Sequence, residues 1–461
     1  MRRYIGDRNF YRRVFTILIP ILIQNVITNF VSMLDNIMVG QVGTEPMSGV
    51  AIVNQLIFVF NLCAIGGLSG AGILTAQFFG KGDEEGVRQS IRVKLLIGLG
   101  IFFLFGSLLG LFGDHLILLF LHEGESALDL NATLRHAQNY LDVMLLQLLP
   151  FVISMMYSST LRETGETVLP MKAGLIAVFV NLVFNYILIF GKFGAPELGV
   201  VGAAVATVIA RVVEMGIVVV WTHRHTRRCP FIVGVYQSLR VPKKVLQQVI
   251  LLGLPLMINE LLWSGGMTVL NHCYSLRGLE VVSAMNIYTT ISNLFFSAFI
   301  STGSATTIMV GQLLGAGELE RAVDEDTKLI AFTMALSIVL SVLMAAAAPY
   351  FPMIYNTIPY VRKLATEILL ISSLMMPMHA FANACYFTLR SGGKTLITFI
   401  FDSGLLWAIS IPAAFVIAYT TAIPIVPFYA IVEGLNLIKC VVGYVMVKQR
   451  RWVVNLVAGS F

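Results

Sequence analysis

The chain has 461 residues, of which 57% are hydrophobic and only 12% charged. That balance excludes a soluble enzyme or binding module and points to an all-α polytopic membrane protein. The net charge of +6 would suggest a nucleic-acid partner in a soluble chain, but here it is carried by the loops and sets orientation, so the lipid bilayer is the expected partner and no nucleic acid is.

Apolar runs of about 20 residues read as spanning helices. Twelve are predicted, at 14–38, 50–79, 94–120, 138–161, 168–190, 199–221, 246–272, 281–314, 329–349, 364–389, 395–419 and 424–447. Arg2, Arg3, Arg8, Arg12 and Arg13 precede the first span. They open an alternation in which most of the 31 Lys and Arg fall on one side, which predicts a plasma (inner) membrane location with both termini cytoplasmic. The exceptions on the outer side are Arg135, Lys192, Arg277, Arg362 and Lys363, and the outer loop at 121–137 also holds His122, Glu123, Glu125 and Asp129. The first apolar run is too long for a cleaved signal and no small-residue cleavage site follows it, so it is expected to remain in the mature protein. Short loops and the absence of targeting extensions suit a prokaryotic membrane. Cys63, Cys229, Cys273, Cys385 and Cys440 form no CxxC and no metal spacing, so neither a disulfide nor a zinc site is expected.

The chain repeats itself. At an offset of 235, Pro20 falls on Pro255, Ile23 on Ile258, Asn36 on Asn271, Gly43 on Gly278 and Ser48 on Ser283, and Gln77, Gly80 and Gly82 fall on Gln312, Gly315 and Gly317. After a change of loop length the register resumes at 228, where Leu161, Arg162 and Gly165 meet Leu389, Arg390 and Gly393. A repeat of this length predicts two six-helix lobes related by a parallel internal repeat, residues 1–222 and 246–461, joined by a basic cytoplasmic linker at 223–245. Gly393-Lys394-Thr395 superficially resembles a phosphate-binding loop, but Thr388 stands where its first glycine is needed and no strand precedes it. No paired metal ligands at helical spacing and no nucleophile with its base appear, so the chain is not expected to be an enzyme.

Polar groups inside spans carry the functional expectation, because a charged side chain at the bilayer centre costs about 2.5–3.5 kcal/mol on insertion scales. Asp35 lies about 30 Å of helical rise into the first span, in the outer half of the membrane. Asn181 and Asn185 share one face of the fifth span at i and i+4, and Thr207 adds a hydroxyl in the sixth. Such oxygens suit a hard cation such as Na⁺, and a partly dehydrated carboxyl suits a proton. Glu260 stands near the middle of the seventh span with no Lys or Arg within a helical turn, which makes it a second cation-coupling candidate. Arg211 and Glu214, at i and i+3, read as a structural ion pair. His379, Asp402, Met257 and Met376 are candidates for a substrate cavity or proton relay, and Glu433 is a further intramembrane acid.

The order of Pro20, Asp35-Asn36-Ile-Met-Val-Gly40, the repeated Gln-x-x-Gly-x-Gly, the repeated Leu-Arg-x-x-Gly and Asn181-Leu-Val-Phe-Asn185 through Gly191 resembles the multidrug and toxic compound extrusion (MATE) transporters over nearly the whole chain. The resemblance implies two six-helix lobes in alternating access that export cationic or amphiphilic small molecules, and a monomer is expected. It implies no cofactor beyond a coupling ion, H⁺ or Na⁺. Asp35, Asn181, Asn185 and Thr207 match the amino-lobe cation site of part of the family, which often has Asp where this chain has Asn185. Glu260 matches the seventh-helix acid of the NorM-like branch, whose tenth-helix acid has His379 as its nearest counterpart here. Asp35 and Glu260 are thereby the two positions at which Na⁺ would bind. The alternative is a flippase for lipid-linked oligosaccharides, whose pyrophosphate would need cationic partners; Arg211 and Lys439 are the basic residues expected within the spans.

Overall fold

A computed structural model describes residues 4–119, 130–238 and 240–459. His122, Glu123, Glu125 and Asp129 of the outer loop, with Arg2 and Arg3, lie outside the described residues.

The described chain contains twelve helices long and apolar enough to cross a membrane. They are α1 (Arg8–Gly40), α2 (Glu45–Lys81), α3 (Glu84–Leu118), α4 (Leu130–Glu163), α5 (Val168–Ile189), α6 (Gly199–Arg224), α7 (Lys243–Ser275), α8 (Leu279–Gly315), α9 (Leu319–Ala347), α10 (Pro359–Ser391), α11 (Thr395–Thr420) and α12 (Ile425–Lys448). Several run a few turns beyond the apolar core that predicts them. The largest extensions are at α9, which begins at Leu319 rather than 329, and at α3, which begins at Glu84 rather than 94. Asp83 caps it, accepting from the Gly86 N–H at 2.8 Å, with Glu84 and Glu85 in the first turn against the positive end of the helix. Lys94 therefore sits well inside the helix rather than at its first residue.

Three helices are irregular. A 3-10 turn at Leu145–Gln147 interrupts α4, and α12 is broken between Gly434 and Asn436. In α11, π-helical turns at Ile400–Gly404 and Leu406–Ser410 carry Asp402 and Ser403, a distortion that costs regular hydrogen bonding and concentrates at functional positions. The last glycine of each repeated motif has one local reason: φ is +77° at Gly82 and +79° at Gly317, and +91° at Gly165 and +73° at Gly393. These are left-handed turns closing a helix, where a Cβ would be strained.

Packing divides the chain into two compact units. The amino-terminal unit holds Ile23–Thr75 and Asp83–Ile250. The carboxy-terminal unit holds the chain from Leu251 on, together with the start of α1 up to Leu22 and Ala76–Gly82 at the end of α2. The start of α1 joins it because Phe10, Val14, Ile17, Leu18 and Ile21 are buried with Ile308, Met309, Leu313, Leu329, Leu389 and Trp452 in one apolar cluster. Within the amino-terminal unit the segment after α6 is docked, with Cys229, Phe231, Ile232 and Val235 buried. Arg92 fixes it by donating from Nε to the Val235 carbonyl at 2.9 Å and from Nη2 to the Gly234 carbonyl at 3.1 Å.

Arg277, an exception to the charge bias, has a structural task in the carboxy-terminal unit. Its guanidinium donates to the carbonyls of Ile417 (2.8 Å), Ala418 (2.9 Å), Thr421 (2.8 Å) and Ile423 (3.0 Å) and lies over the Phe428 ring. It thus supplies the donors that the last turn of α11 lacks, at the negative end of that helix. Arg277→Lys offers no planar fork and is expected to cost about 2 kcal/mol, since hydrogen bonds from charged donors contribute about 1.5–3 kcal/mol each. Thermal unfolding in detergent measures it, and an unchanged transition would contradict the assignment.

Candidate functional site

In the amino-terminal unit the 3.6-residue period of α5 puts Asn181 and Asn185 one above the other, and both face the carboxylate of Asp35. Asn185 Nδ2 donates to Asp35 Oδ1 at 2.7 Å and to Asn181 Oδ1 at 3.2 Å. Asn185 is only 2% exposed, and its own Oδ1 is buried with no hydrogen-bond partner among the described residues.

The Asn181 amide fits an ionised Asp35 with its nitrogen toward the carboxylate and a protonated Asp35 with its oxygen there. With its nitrogen toward the carboxylate, Nδ2 stands 3.0 Å from both Asp35 oxygens and its oxygen accepts from Thr207 at 3.3 Å. With its oxygen toward Asp35, Nδ2 donates to Thr207 Oγ1 at 3.3 Å and the bond from Asn185 is kept. The Thr207 hydroxyl has one hydrogen, and it is already directed to the Ala203 carbonyl at 3.0 Å. The second orientation therefore satisfies every partner except the contact between Asn181 Oδ1 and Asp35, where two oxygens meet and a proton on Asp35 would complete the bond. A small cation could instead take the Asp35 carboxylate and Asn181 Oδ1, 3.0 Å apart, as ligands. The set is oxygen only, which fits a hard ion. Tyr140 of α4 is buried within electrostatic reach of Asp35, and its hydroxyl donates to Asn54 Oδ1 at 3.3 Å; neither residue was singled out by sequence.

In the carboxy-terminal unit the acids separate by partner. Asp402 Oδ1 pairs with Lys439 Nζ at 3.0 Å, and its Oδ2 accepts from Asn259 Nδ2 at 3.1 Å. Asn259, 2% exposed, also accepts from the Ser403 hydroxyl at 2.7 Å and donates to the Tyr386 hydroxyl at 3.4 Å. The π turn of α11 places Asp402 and Ser403 together on this one asparagine. Glu433 Oε2 pairs with His379 Nε2 at 2.7 Å and accepts from Asn436 at 3.3 Å. Glu260 differs: among the described residues no basic side chain stands within ion-pair distance of it and no hydrogen bond is made to it, although Arg390 and Asp402 are in electrostatic reach. Met376 is fully buried with Ile291, Phe299, Leu369 and Ala380, a core position that presents no surface, whereas Met257 is half-buried. Arg211 and Glu214 form the expected ion pair, at 2.8 Å.

Asn259 and Ser403 escape a reading that searches for charge, although an asparagine beside Glu260 in an apolar span is a visible signal. No group of three or more His, Cys, Asp or Glu that could hold a metal occurs among the described residues.

The MatE family model matches residues 20–187 and 255–420. The chain is 28% identical over 411 residues to a probable multidrug resistance protein NorM of Thermotoga maritima, covering 88% of this chain and 85% of that one. It is 25% identical over 422 residues to a probable multidrug resistance protein YoeA of Bacillus subtilis, covering 90% and 88%. In fold it is similar to the outward-facing conformation of a multidrug resistance MATE family transporter of the MOP superfamily, at a TM-score of 0.85 and 19% identity over 97% of each chain. A MOP superfamily transporter from Pyrococcus furiosus matches at a TM-score of 0.84 and 18% identity, again over 97% of both.

Proposed function

We propose, because the chain belongs to the multidrug and toxic compound extrusion (MATE) family of membrane transporters, that it is a plasma-membrane antiporter exporting organic cations by alternating access, with proton entry as the driving force. The names of the NorM and YoeA relatives support multidrug export. The observation that carries the choice of ion is that Asp35, within a membrane span, has the Asn185 amide as a donor at 2.7 Å and no basic side chain within ion-pair distance among the described residues, so a proton neutralises it.

Loss of that proton restores a carboxylate that the Asn181 nitrogen can meet at 3.0 Å from both oxygens. Protonation is thereby tied to the hydrogen bonding between α1, α5 and α6. A proton arriving from outside removes the negative charge that an organic cation would seek, and the cargo leaves; the direction comes from different affinities in the two states. Glu260, with no basic partner, is the corresponding acid for cargo or proton in the carboxy-terminal unit, since Lys439 and His379 occupy the other two acids. Arg211 and Lys439, which a lipid pyrophosphate would need, are each held by an acid, so the flippase reading is disfavoured.

Efflux of a fluorescent organic cation from proteoliposomes under an imposed proton or sodium gradient tests this. The proton gradient is expected to drive the wild type, and Asp35→Asn to reduce driven efflux by about tenfold or more, the range of a linked site. Sodium-driven efflux unaffected by pH would overturn the choice of ion, and full activity of Asp35→Asn would overturn the site.

A further inference from the structure

A buried acid stands apart from both sites. Asp326 of α9, in the carboxy-terminal unit, is 1% exposed. Its hydrogen-bond partner is Thr388 of α10, whose Oγ1 lies 2.6 Å from Oδ1, and among the described residues no basic side chain is within ion-pair distance. The charged and titratable groups nearby are engaged elsewhere. Glu325, beside it on α9, faces Arg13 of α1 at 3.6 Å and Arg321 at 3.0 Å. Arg13 also donates to Gln312 of α8 at 3.1 Å, and Arg390 of α10 lies over the Phe387 ring. The remaining titratable neighbour is the buried thiol of Cys385 on α10.

The internal repeat supplies an independent comparison. At the offset of 228, Thr388 corresponds to Thr160, and in the amino-terminal unit Thr160 also touches a buried ionisable group of the preceding helix. Lys94, 0% exposed, donates to Thr160 at 3.0 Å and to Ser159 at 3.1 Å, and Glu163 neutralises it at 2.5 Å. The place of Glu163 is taken in the second half by Ser391, whose hydroxyl is turned to the Thr388 carbonyl at 2.7 Å. Each half thus buries one ionisable side chain against the same threonine, but only the first provides a counter-charge. A carboxylate left there with one neutral hydroxyl would lose its hydration uncompensated.

We infer that Asp326 is a proton-binding site of the carboxy-terminal unit: the side chain is held as the carboxylic acid against Thr388 while α9 and α10 are packed, and it releases its proton when water reaches that contact. The site is separate from Asp35, and the inference stands whichever ion drives transport.

Infrared spectroscopy of the purified protein near neutral pH tests it. A carboxylic-acid carbonyl band is expected that is absent from Asp326→Asn and shifted in Thr388→Val, which keeps the acid but removes its hydrogen-bond partner. Thermal unfolding is the second readout. Asp326→Asn, a neutral stand-in, is expected to be no less stable than wild type, and wild type is expected to fall below it as the pH rises. Glu163→Gln, which leaves Lys94 without its counter-charge, is expected to be less stable than wild type across the same range. If no acid band depends on Asp326 or Thr388, or if Asp326→Asn fails to fold or loses as much stability as Glu163→Gln at every pH, the site is an ionised structural group and the inference is wrong.

Discussion

Gly315→Val is expected to abolish transport and to lower stability by about 3 kcal/mol, the upper end of what overpacking costs. A Cβ at Gly315 would lie 1.9 Å from the Gln77 carbonyl oxygen, and a Cβ at Gly80 would lie 1.9 Å from the Gln312 carbonyl oxygen, against an optimum of about 3.5–4.0 Å for non-bonded heavy atoms. The contact is reciprocal: each glycine of the repeated Gln-x-x-Gly rests on the glutamine of the other copy. Both sides are backbone, so no rotamer change can relieve the clash and the ends of α2 and α8 must part.

Their separation would also release the segment after α12. Gln77 Nε2 donates to the Ser391 and Val454 carbonyls, each at 3.3 Å, and its Oε1 accepts from the Leu456 N–H at 2.8 Å. Lys81 holds the Val457 carbonyl at 2.9 Å, and Asn455 holds that of Gly315 at 3.2 Å. Gly80→Val should behave like Gly315→Val, while Gly100→Ala, where a Cβ meets nothing within 4 Å, should be silent. Melting in detergent and proteoliposome efflux read all three, and wild-type behaviour of Gly315→Val would refute the reciprocal contact.

Glu163→Ala is expected to destabilise the protein by about 3–5 kcal/mol, the cost of removing one partner of a buried ion pair. Lys94 is fully enclosed, and Glu163 is its only counter-charge at 2.5 Å among the described residues. Ser159 and Thr160 can accept from the ammonium but cannot neutralise it. The double replacement Lys94→Met with Glu163→Gln should recover most of the loss, because it removes the buried charges as well as the bond between them. Thermal unfolding of Lys94→Met, Glu163→Gln and the double variant completes the cycle. A double variant as unstable as the sum of the singles would show that the two side chains act independently.

Lys94 marks where the sequence was legible and where it was not. An apolar run marks the membrane core, so a span predicted from hydropathy stops at the first charges. It cannot register that α3 continues through them to its Asp83 cap, nor that Lys94 meets its counter-charge in Glu163, about 70 residues later in the chain. The repeated glutamine and glycine were visible as a pattern, but their cause was not, since it is a backbone contact between two copies 235 residues apart. Asp35, Asn181, Asn185 and Thr207 were legible because an intramembrane carboxyl and two amides at i and i+4 stand out against apolar neighbours. The Asn259 hub was not, because its importance comes from a π turn in α11 that composition does not announce.

By itself, then, the sequence determined the twelve spans, the duplication, the family and the short set of polar groups that the membrane makes expensive. Each of these follows from local composition, periodicity or residue order along the chain. Only the tertiary structure decided which acids have partners: Asp402 has Lys439, Glu433 has His379 and Asp35 has the Asn185 amide, with Glu260 and Asp326 left without a basic partner among the described residues. It also decided that the start of α1 and the end of α2 pack with the second half of the chain. The physical reason is range. Hydrophobicity acts on each residue where it stands, whereas a charge in a low-dielectric interior is decided by whatever helix is packed within a few ångströms of it.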